Sequence, residues 1–164
     1  MPKITPFLWF DDQAQEAAEL YVSVFPNSRI VEVTRYGEAG PRPPGTVMTV
    51  RFSLDGTELV ALNGGPAHYG FDESISFVIN CADEQEVDHY WSALGEGGAE
   101  IACGWLRDRY GLRWQIVPEG VFELLSDPDP SRAQRATQAM LKMKKLDLRA
   151  MRQAADAAEA RTEG

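Results

Sequence analysis

The pattern of apolar and polar positions changes its period along the chain and so predicts an order of strands and helices. Asp11-Asp12 interrupt the first apolar segment and supply carboxylates that suit a helix cap, whereas Pro26-Asn27 end the helical pattern. The pair Asp55-Gly56 is typical of a type I′ hairpin turn. The elements predicted for this half are a strand at 3–10, a helix at 14–25, and strands at 29–36, 46–54 and 57–63.

The second half repeats this order. Asp83 and Glu86 have the spacing of a capping box, and the glycines at 95–98 stop the helix that it opens. The predicted buried face of this helix consists of Val87, Tyr90, Trp91 and Leu94. The predicted strands are 74–81, 100–103, 105–109 and 112–117, with Tyr110-Gly111 as the last turn.

The two halves are related by a shift of 71 residues, which we interpret as an internal repeat of a βαβββ unit. The shift places Ile4 on Ile75, Leu8 on Ile79 and Asp12 on Asp83. The predicted fold class is therefore α+β. We expect one domain over residues 1–130, built from modules 1–72 and 73–118, followed by a helical extension at 131–164.

Charge is distributed unevenly along the 164 residues. The net charge is −9, yet residues 131–164 contain 8 Lys and Arg against 4 Asp and Glu, a net +4 that leaves −13 on residues 1–130. Because a body this acidic repels phosphate backbones and anionic lipid, we expect no nucleic-acid or membrane partner. The residue pattern of the extension predicts two helices that pack on the body and support a dimer. The opposite charges of the basic tail and the acidic body predict an attraction between them. Their predicted inward residues are Ala133, Ala136, Met140 and Met143 after Ser131, and Leu148, Met151, Ala155 and Ala158 after Asp147.

Two cysteines, Cys81 and Cys103, supply neither a disulfide framework nor a cysteine-based zinc site. No apolar run approaches the length of a membrane-spanning helix, and the start of the chain lacks a secretory signal pattern. A cytoplasmic location is therefore expected.

Several segments in combination resemble the PhnB-like family of the vicinal oxygen chelate superfamily, which also includes glyoxalase I and bleomycin-resistance proteins. They are FLWFDDQAQEAAELYVSVFPNS, ALNGGP, SISFVINCADEQEVDHYW, CGWLRDRYGLRWQIVP and DPDPSRAQRATQAMLKMKKLDL. The resemblance implies two βαβββ modules whose curved sheets enclose a cavity, usually in a homodimer. Many members of the family carry the name 3-demethylubiquinone-9 3-methyltransferase. The chain, however, lacks the glycine-rich turn after a first strand that S-adenosylmethionine enzymes typically have, because Gly64-Gly65 and the glycines at 95–98 mark other turns.

Enzymes of that superfamily usually hold a divalent metal in the cavity, on side chains from the first and last strands of the modules. Strand parity predicts that Ile4, Leu8 and Phe10 face the helix, and that Thr5, Phe7 and Trp9 face the cavity. The corresponding ligand set is Phe7, Ala61 or Asn63, Ser76 and Gln115. None is a histidine or a carboxylate, so we predict a cavity without metal or cofactor, and we expect His68 and His89 on the surface.

Aromatic and amide side chains remain as candidate ligand-binding residues. They are Trp9, Asn63, Asn80, Trp105, Trp114 and Gln115. The alternative is that the tryptophans fill the core and the amides satisfy backbone groups. Cys103 is a candidate nucleophile only if a neighbouring arginine, Arg107 or Arg109, stabilises its thiolate. The charged run at 107–109 and Arg113 predict cross-strand ion pairs, and one of these arginines is a candidate anion anchor.

The sequence thus predicts a metal-independent homodimer that binds an unidentified small molecule. One alternative is an enzyme of the superfamily, such as a lyase, a dioxygenase-like enzyme or the methyltransferase of the family name. A second is a structural or regulatory dimer that acts through its basic helical tail.

Overall fold

Thirteen helices and strands make up the described part of the chain, residues 2–157, in this computed structural model. They fall into two units, which meet in sequence between Gly70 and Phe71. The first unit contains β1 (Phe7–Phe10), α1 (Ala14–Val24), β2 (Arg29–Arg35), β3 (Val47–Leu54) and β4 (Thr57–Asn63). The second contains β5 (Phe77–Cys81), α2 (Glu84–Gly95), β6 (Ala99–Glu100), β7 (Trp105–Arg107), β8 (Arg113–Pro118), α3 (Val121–Leu125), α4 (Pro130–Met140) and α5 (Leu148–Asp156).

The two sheets have the same strand order, β1-β4-β3-β2 in the first unit and β5-β8-β7-β6 in the second. In each unit the first strand pairs in parallel with the last, and the remaining pairs are antiparallel. Leu8 pairs with Ala61 in the first sheet, and Ile79, 71 positions after Leu8, pairs with Ile116 in the second. The predicted α+β class and the internal repeat are therefore confirmed.

Helix α1 covers one face of the first sheet through an unbroken apolar stripe. Its buried residues are Ala14, Ala17, Ala18, Tyr21 and Val24. The prediction that Asp11-Asp12 cap this helix is wrong: Gln13 is the N-cap residue, and its side chain forms no capping hydrogen bond. At the other end, the N–H of Phe25 bonds to the carbonyl of Tyr21 at 3.1 Å, and Pro26, which lacks an N–H, cannot extend the helix.

Helix α2 begins as the capping spacing predicts. Asp83 Oδ1 accepts a hydrogen bond from the Glu86 N–H at 2.9 Å. The second bond of the capping box is shifted by one residue. The Glu86 carboxylate accepts from the N–H of Ala82 at 2.8 Å and not from that of Asp83. All four predicted inward residues of α2 are buried, which fixes the face that the helix turns to the second sheet.

Several strand limits differ from the prediction. Strand β1 begins at Phe7, and Ile4, which was expected to face the helix, is 84% exposed. Strand β6 is only Ala99–Glu100, and Cys103 lies in a turn with φ of 54° instead of in a strand. The hairpin prediction is confirmed, since Asp55 and Gly56 both have positive φ, 44° and 89°.

After β8 the chain forms three helices that pack into a second small core. Its buried members are Val117, Val121, Leu124, Ala136, Leu146, Met151 and Ala155. Helix α3 was not predicted, Met143 lies beyond the end of α4, and Ala158 lies outside the described residues. None of the helices between residues 2 and 157 is both long and apolar enough to cross a bilayer.

Basic side chains of this extension pair with carboxylates inside the second unit. Lys145 pairs with Asp88, and Lys144 lies 3.9 Å from Glu100. Arg132 pairs with Asp127 at 3.0 Å. These pairs are the attraction between tail and body that the charge distribution predicts, although solvent screens ion pairs at exposed positions.

Candidate functional site

Each sheet has one face covered by its own helix, α1 or α2, and we call the opposite face the open face. In the second unit the extension buries the end of this face at Val117, which is in register with Asn80. In the first unit, pairing register places Phe7 and Trp9 on this face, because Leu8 and Phe10 on the other face are buried. The side chains that share the open face are Phe7, Trp9, Glu32, Thr34, Thr49, Arg51, Glu58, Val60 and Leu62. Its β1 and β4 side is mainly aromatic and aliphatic, and its β3 and β2 side is polar.

Trp9 is held firmly at one end of this face. Its indole Nε1 donates to the carbonyl of Gly65 at 2.9 Å. A β-carbon on Gly64 would lie 2.2 Å from Cζ2 of Trp9, so the indole packs directly on the backbone of that glycine. The ring of Tyr69 stands edge-on to it with centroids 5.9 Å apart. Trp9 is still 38% exposed, so its ring is fixed in place and accessible.

A charged cluster occupies the polar side of the same face. Arg51 lies 3.5 Å from a carboxylate oxygen of Glu32 and 3.5 Å from one of Glu58. The second oxygen of Glu58, Oε2, is buried and has no hydrogen-bond partner among the described residues. One guanidinium thus serves two carboxylates, which leaves the cluster with a net negative charge and one unused acceptor.

The predicted cavity positions of Ala61 and Asn63 are wrong. In a parallel pair, residues in register share a face, and Ala61 and Asn63 are in register with Leu8 and Phe10. Asn63 is 5% exposed. Its Oδ1 accepts from the N–H of Ala14 at 2.8 Å, and its Nδ2 donates to the carbonyl of Val47 at 3.2 Å. Asn63 therefore holds the start of α1 and is not available to a ligand.

The open face of the second sheet contains three of the predicted site residues, Asn80, Trp105 and Gln115. Gln115 is in register with Val78 on one side and with Trp105 on the other. Its Nε2 donates to Ser76 Oγ at 2.9 Å. Its amide oxygen accepts no hydrogen bond from the described residues. An aromatic ring and an amide oxygen with unused acceptor capacity therefore lie side by side on a half-exposed surface.

Asn80 lies near the end of the same face and lines an open, shallow cavity with the C-terminal extension. This surface cavity has a volume of about 750 Å³. Phe122, Leu148 and Arg152 also line it, together with the backbone turn at Gly120. The extension therefore supplies one wall next to a predicted site residue.

The assignment of Trp114 to the cavity is wrong for the same reason of parity. Trp114 and Gln115 are neighbours on β8 and so point to opposite faces. Trp114 is 3% exposed, and its Nε1 donates to Asp108 Oδ2 at 2.9 Å. Asp108 is itself buried and accepts the N–H groups of Tyr110 and Leu112, so it organises the β7–β8 turn.

The cross-strand ion pairs predicted for Arg109 and Arg113 are wrong, because both arginines pair with carboxylates outside the strands. Arg113 pairs with Glu73, before β5, at 3.1 Å, and Arg109 lies 3.7 Å from Glu96, after α2. The Cys103 thiol donates to the carbonyl of Met140 at 3.6 Å. Burial, followed by the carboxylates of Glu86 and Asp83, raises the pKa of Cys81 to about 11. Between residues 2 and 157, no lysine or arginine donates a hydrogen bond to either thiol, so neither has a cation to stabilise its thiolate.

In neither unit do the side chains that the resemblance assigns to metal binding suit a divalent ion. Phe7 has no donor atom, Asn63 faces the helix, and Ser76 and Gln115 bond to each other. Between residues 2 and 157, no three His, Cys, Asp or Glu side chains lie close enough together to hold a metal. His68 and His89 are exposed, as expected. The chemistry that the open faces offer is aromatic stacking and amide hydrogen bonding.

Two residues near Trp9 escaped the sequence-based prediction. Arg42 comes from the loop at 37–46 and Tyr69 from the loop at 64–70, so neither lies on a strand where parity could be applied. A β-carbon on Gly65 would lie 2.6 Å from Nη1 of Arg42. The only sequence signal was the glycine pair Gly64-Gly65, which marks a place where other groups approach the backbone closely.

Comparison with known proteins identifies the family. The family model for 3-demethylubiquinone-9 3-methyltransferase matches residues 2–117. The PhnB protein from Bacillus cereus is 35% identical, with a TM-score of 0.66, over 71% of this chain and 99% of that chain. No functionally curated protein matches the chain.

Two more distant structures share the fold. Protein PA1353 from Pseudomonas aeruginosa is 22% identical, with a TM-score of 0.60, over 73% of this chain and 98% of its own. The fosfomycin resistance protein FosX from Mesorhizobium loti is 11% identical, with a TM-score of 0.51, over 77% of this chain and 99% of its own. The family model ends just before α3, so the extension lies outside the part that it matches. The chain belongs to the PhnB-like family described as 3-demethylubiquinone-9 3-methyltransferase, with the fold of the vicinal oxygen chelate superfamily.

Proposed function

We propose that the protein binds flat, polar small molecules on the open faces of its two sheets and does so without a metal ion. The observation that carries the proposal is the Trp105–Gln115 pair of the second sheet. The indole offers a stacking surface, and the amide oxygen beside it accepts no hydrogen bond from the described residues. A flat ligand ring can stack on the Trp105 indole, and an N–H donor at the edge of that ring can bond to the Gln115 amide oxygen.

The first open face supports the same function with different groups. Trp9 is fixed by Gly64 and Gly65 and is still exposed to solvent. Because its position is set in advance, little side-chain entropy is lost when a ring stacks on it. Asn80, which lines the cavity next to the extension, adds an exposed amide on the second face.

The proposed metal independence is supported by the side chains that the resemblance assigns to metal binding. A hard or borderline divalent ion needs carboxylates or imidazoles, and the side chains there are an amide, a hydroxyl and a phenyl ring. The methyltransferase activity in the family's name is not part of the proposal. Strand β1 is joined to α1 by a short turn, 11–13, that contains no glycine and cannot bring a nucleotide close to the backbone.

The proposal includes a homodimer, in line with the resemblance described above. Phe7, on the open face of the first sheet, is a large apolar side chain that is 62% exposed and that a second copy would cover. Analytical ultracentrifugation of the full chain over a hundredfold dilution tests this point. A sedimentation coefficient of the monomer at every concentration would refute the dimer.

The test of ligand binding is a thermal-shift titration of EDTA-treated protein with 2-naphthamide, a flat ring with an amide donor. At 100 times its Kd, the probe stabilises the fold by about 2.7 kcal/mol, which raises the Tm by roughly 5–10 °C. Gln115→Leu should reduce the shift, whereas Gln134→Leu, on the exposed side of α4, should leave it unchanged. No shift at millimolar probe, or a shift only after Zn²⁺, Ni²⁺, Mn²⁺ or Fe²⁺ is added, would contradict the proposal.

A further inference from the structure

Two loops meet at the end of the first sheet where Trp9 is located. The hydroxyl of Tyr36, just before the 37–46 loop, donates to the carbonyl of Asn63, just before the 64–70 loop, at 2.6 Å. The N–H of Gly64 bonds to the carbonyl of Phe10 at 2.9 Å, which ties the second loop to β1. Both loops are thus anchored to the sheet, and their side chains have defined positions. We call the group formed by Trp9, Arg42, Gly64, Gly65 and Tyr69 the β1 rim.

Within the β1 rim, the glycine pair lets two large side chains approach the same stretch of backbone. Trp9 lies against Gly64, and the guanidinium of Arg42 lies against Gly65, whose φ of +87° also favours glycine. Nε1 of Trp9 also donates to the carbonyl of Gly65, so the indole and the guanidinium approach the same residue, and we infer that one small ligand can reach both. Any side chain at either position would displace one of them.

Arg42 differs from the other half-buried arginines of the described chain in having no partner. Four of them are bonded: Arg51 to Glu32 and Glu58, Arg113 to Glu73, Arg132 to Asp127, and Arg135 to the carbonyl of Ala155. Arg42 is buried to a similar degree, but between residues 2 and 157 it forms neither an ion pair nor a hydrogen bond. The described residues leave the guanidinium donors of Arg42 unused, so these donors are available to an anion in exchange for water.

We propose that the β1 rim binds an aromatic carboxylate, with the ring on Trp9 and Tyr69 and the carboxylate on Arg42. A guanidinium matches a carboxylate with two parallel hydrogen bonds, and the edge-on pair of rings provides an apolar wall for a flat ligand. The inference rests on the proposed small-molecule binding and narrows its ligand class on the first sheet. The chain as a whole is acidic, so Arg42 also gives a local positive site in a repulsive field and selects for a ligand that it can pair with directly.

The experiment compares two probes of the same shape, 2-naphthoate and the neutral 2-naphthamide, by calorimetric titration of the full chain. Arg42→Gln should raise the Kd of 2-naphthoate by about tenfold or more and leave that of 2-naphthamide within about twofold. Arg29→Gln is the matched control, because it removes the same charge from an exposed residue at the other end of the sheet. Arg42→Lys should retain part of the affinity, since it keeps the charge and loses the paired hydrogen bonds.

Three results would overturn the inference. The first is equal binding of 2-naphthoate by Arg42→Gln and Arg29→Gln; the second is 2-naphthoate affinity no greater than that of 2-naphthamide. In both cases continued binding of 2-naphthamide would leave the proposed function intact. The third is failure of the wild-type chain to bind either probe, which would overturn the proposed function as well. Unchanged circular dichroism and Tm in each variant establish that the fold is preserved.

Discussion

The side-chain oxygen of Asn63 accepts a hydrogen bond from the backbone N–H of Ala14 at 2.8 Å. The last residue of β4 therefore performs the capping role that the carboxylates before α1 were expected to have. The same side chain donates to the carbonyl of Val47, so one buried amide connects the start of α1 to β3 and β4. This arrangement explains why an asparagine at a predicted cavity position serves stability instead of binding.

Replacing Asn63 with alanine should lower the free energy of unfolding by about 1–3 kcal/mol. The substitution leaves the Ala14 N–H and the Val47 carbonyl without the partners that they have in the folded chain. Urea denaturation followed by circular dichroism measures the change. Asn80→Ala, at an exposed position on the other sheet, should alter stability by less than about 0.5 kcal/mol. Equal effects of the two substitutions would show that Asn63 has no capping role.

Sequence periodicity predicted the elements well where burial is regular. The apolar stripe of α2 and the hairpin at Asp55-Gly56 follow from local rules, and both were predicted correctly. Face assignments failed where a polar or aromatic residue is buried for a structural reason. Asn63 and Trp114 look like ligand groups in isolation, and only their partners, Ala14 and Asp108, reveal their role.

The loops and the extension were harder to predict. Tyr69 lies beside Trp9, and Arg42 lies against Gly65, because two loops fold toward each other. The periodicity of strands and helices does not predict how such loops fold. Helix α3 is only five residues long, too short to give a periodic signal.

Gly64→Ala should destabilise the protein because the new methyl group would overlap the indole of Trp9. Its β-carbon would lie 2.2 Å from Cζ2, a distance that requires the ring or the backbone to move, at a cost of about 1–3 kcal/mol. Thermal unfolding and tryptophan fluorescence both report the change. Gly70→Ala is the matched control, since nothing lies within 4 Å of its β-carbon position and its φ is not positive. A loss of stability at Gly70 as large as that at Gly64 would argue against direct packing of Trp9 on the loop.

Stability should decrease in alkaline solution through Cys81. Burial, with the carboxylates of Glu86 and Asp83, raises its pKa from 9.0 to about 11. The neutral thiol is thus favoured in the folded state, and the corresponding stabilisation is complete below pH 9 and is lost between pH 9 and pH 11. Denaturant titrations at pH 8 and pH 10.5 should show a larger decrease for wild type than for Cys81→Ala. An identical decrease in both proteins would refute a raised pKa at this residue.

Met151→Ala should test whether the extension forms part of the folded second unit. Met151 is fully buried in a core with Val117 and Leu146, so truncation creates a cavity and should cost about 2–5 kcal/mol. Met143→Ala, at a partly buried position beside the same core, should cost less. Denaturant unfolding with a single transition is expected for both variants. A separate early transition, with the main one unchanged in Met151→Ala, would show that the extension unfolds independently.

The most direct test of metal-independent ligand binding uses the four tryptophan side chains as reporters in one NMR experiment. Trp9 and Trp105 lie on open faces, whereas Trp91 and Trp114 are 8% and 3% exposed and donate to Glu100 and Asp108. Addition of 2-naphthamide to EDTA-treated, ¹⁵N-labelled protein should shift the indole N–H signals of Trp9 and Trp105 and leave those of Trp91 and Trp114 in place. Signals that do not move, that move only after a divalent metal is added, or that move at Trp91 and Trp114 instead would contradict the account.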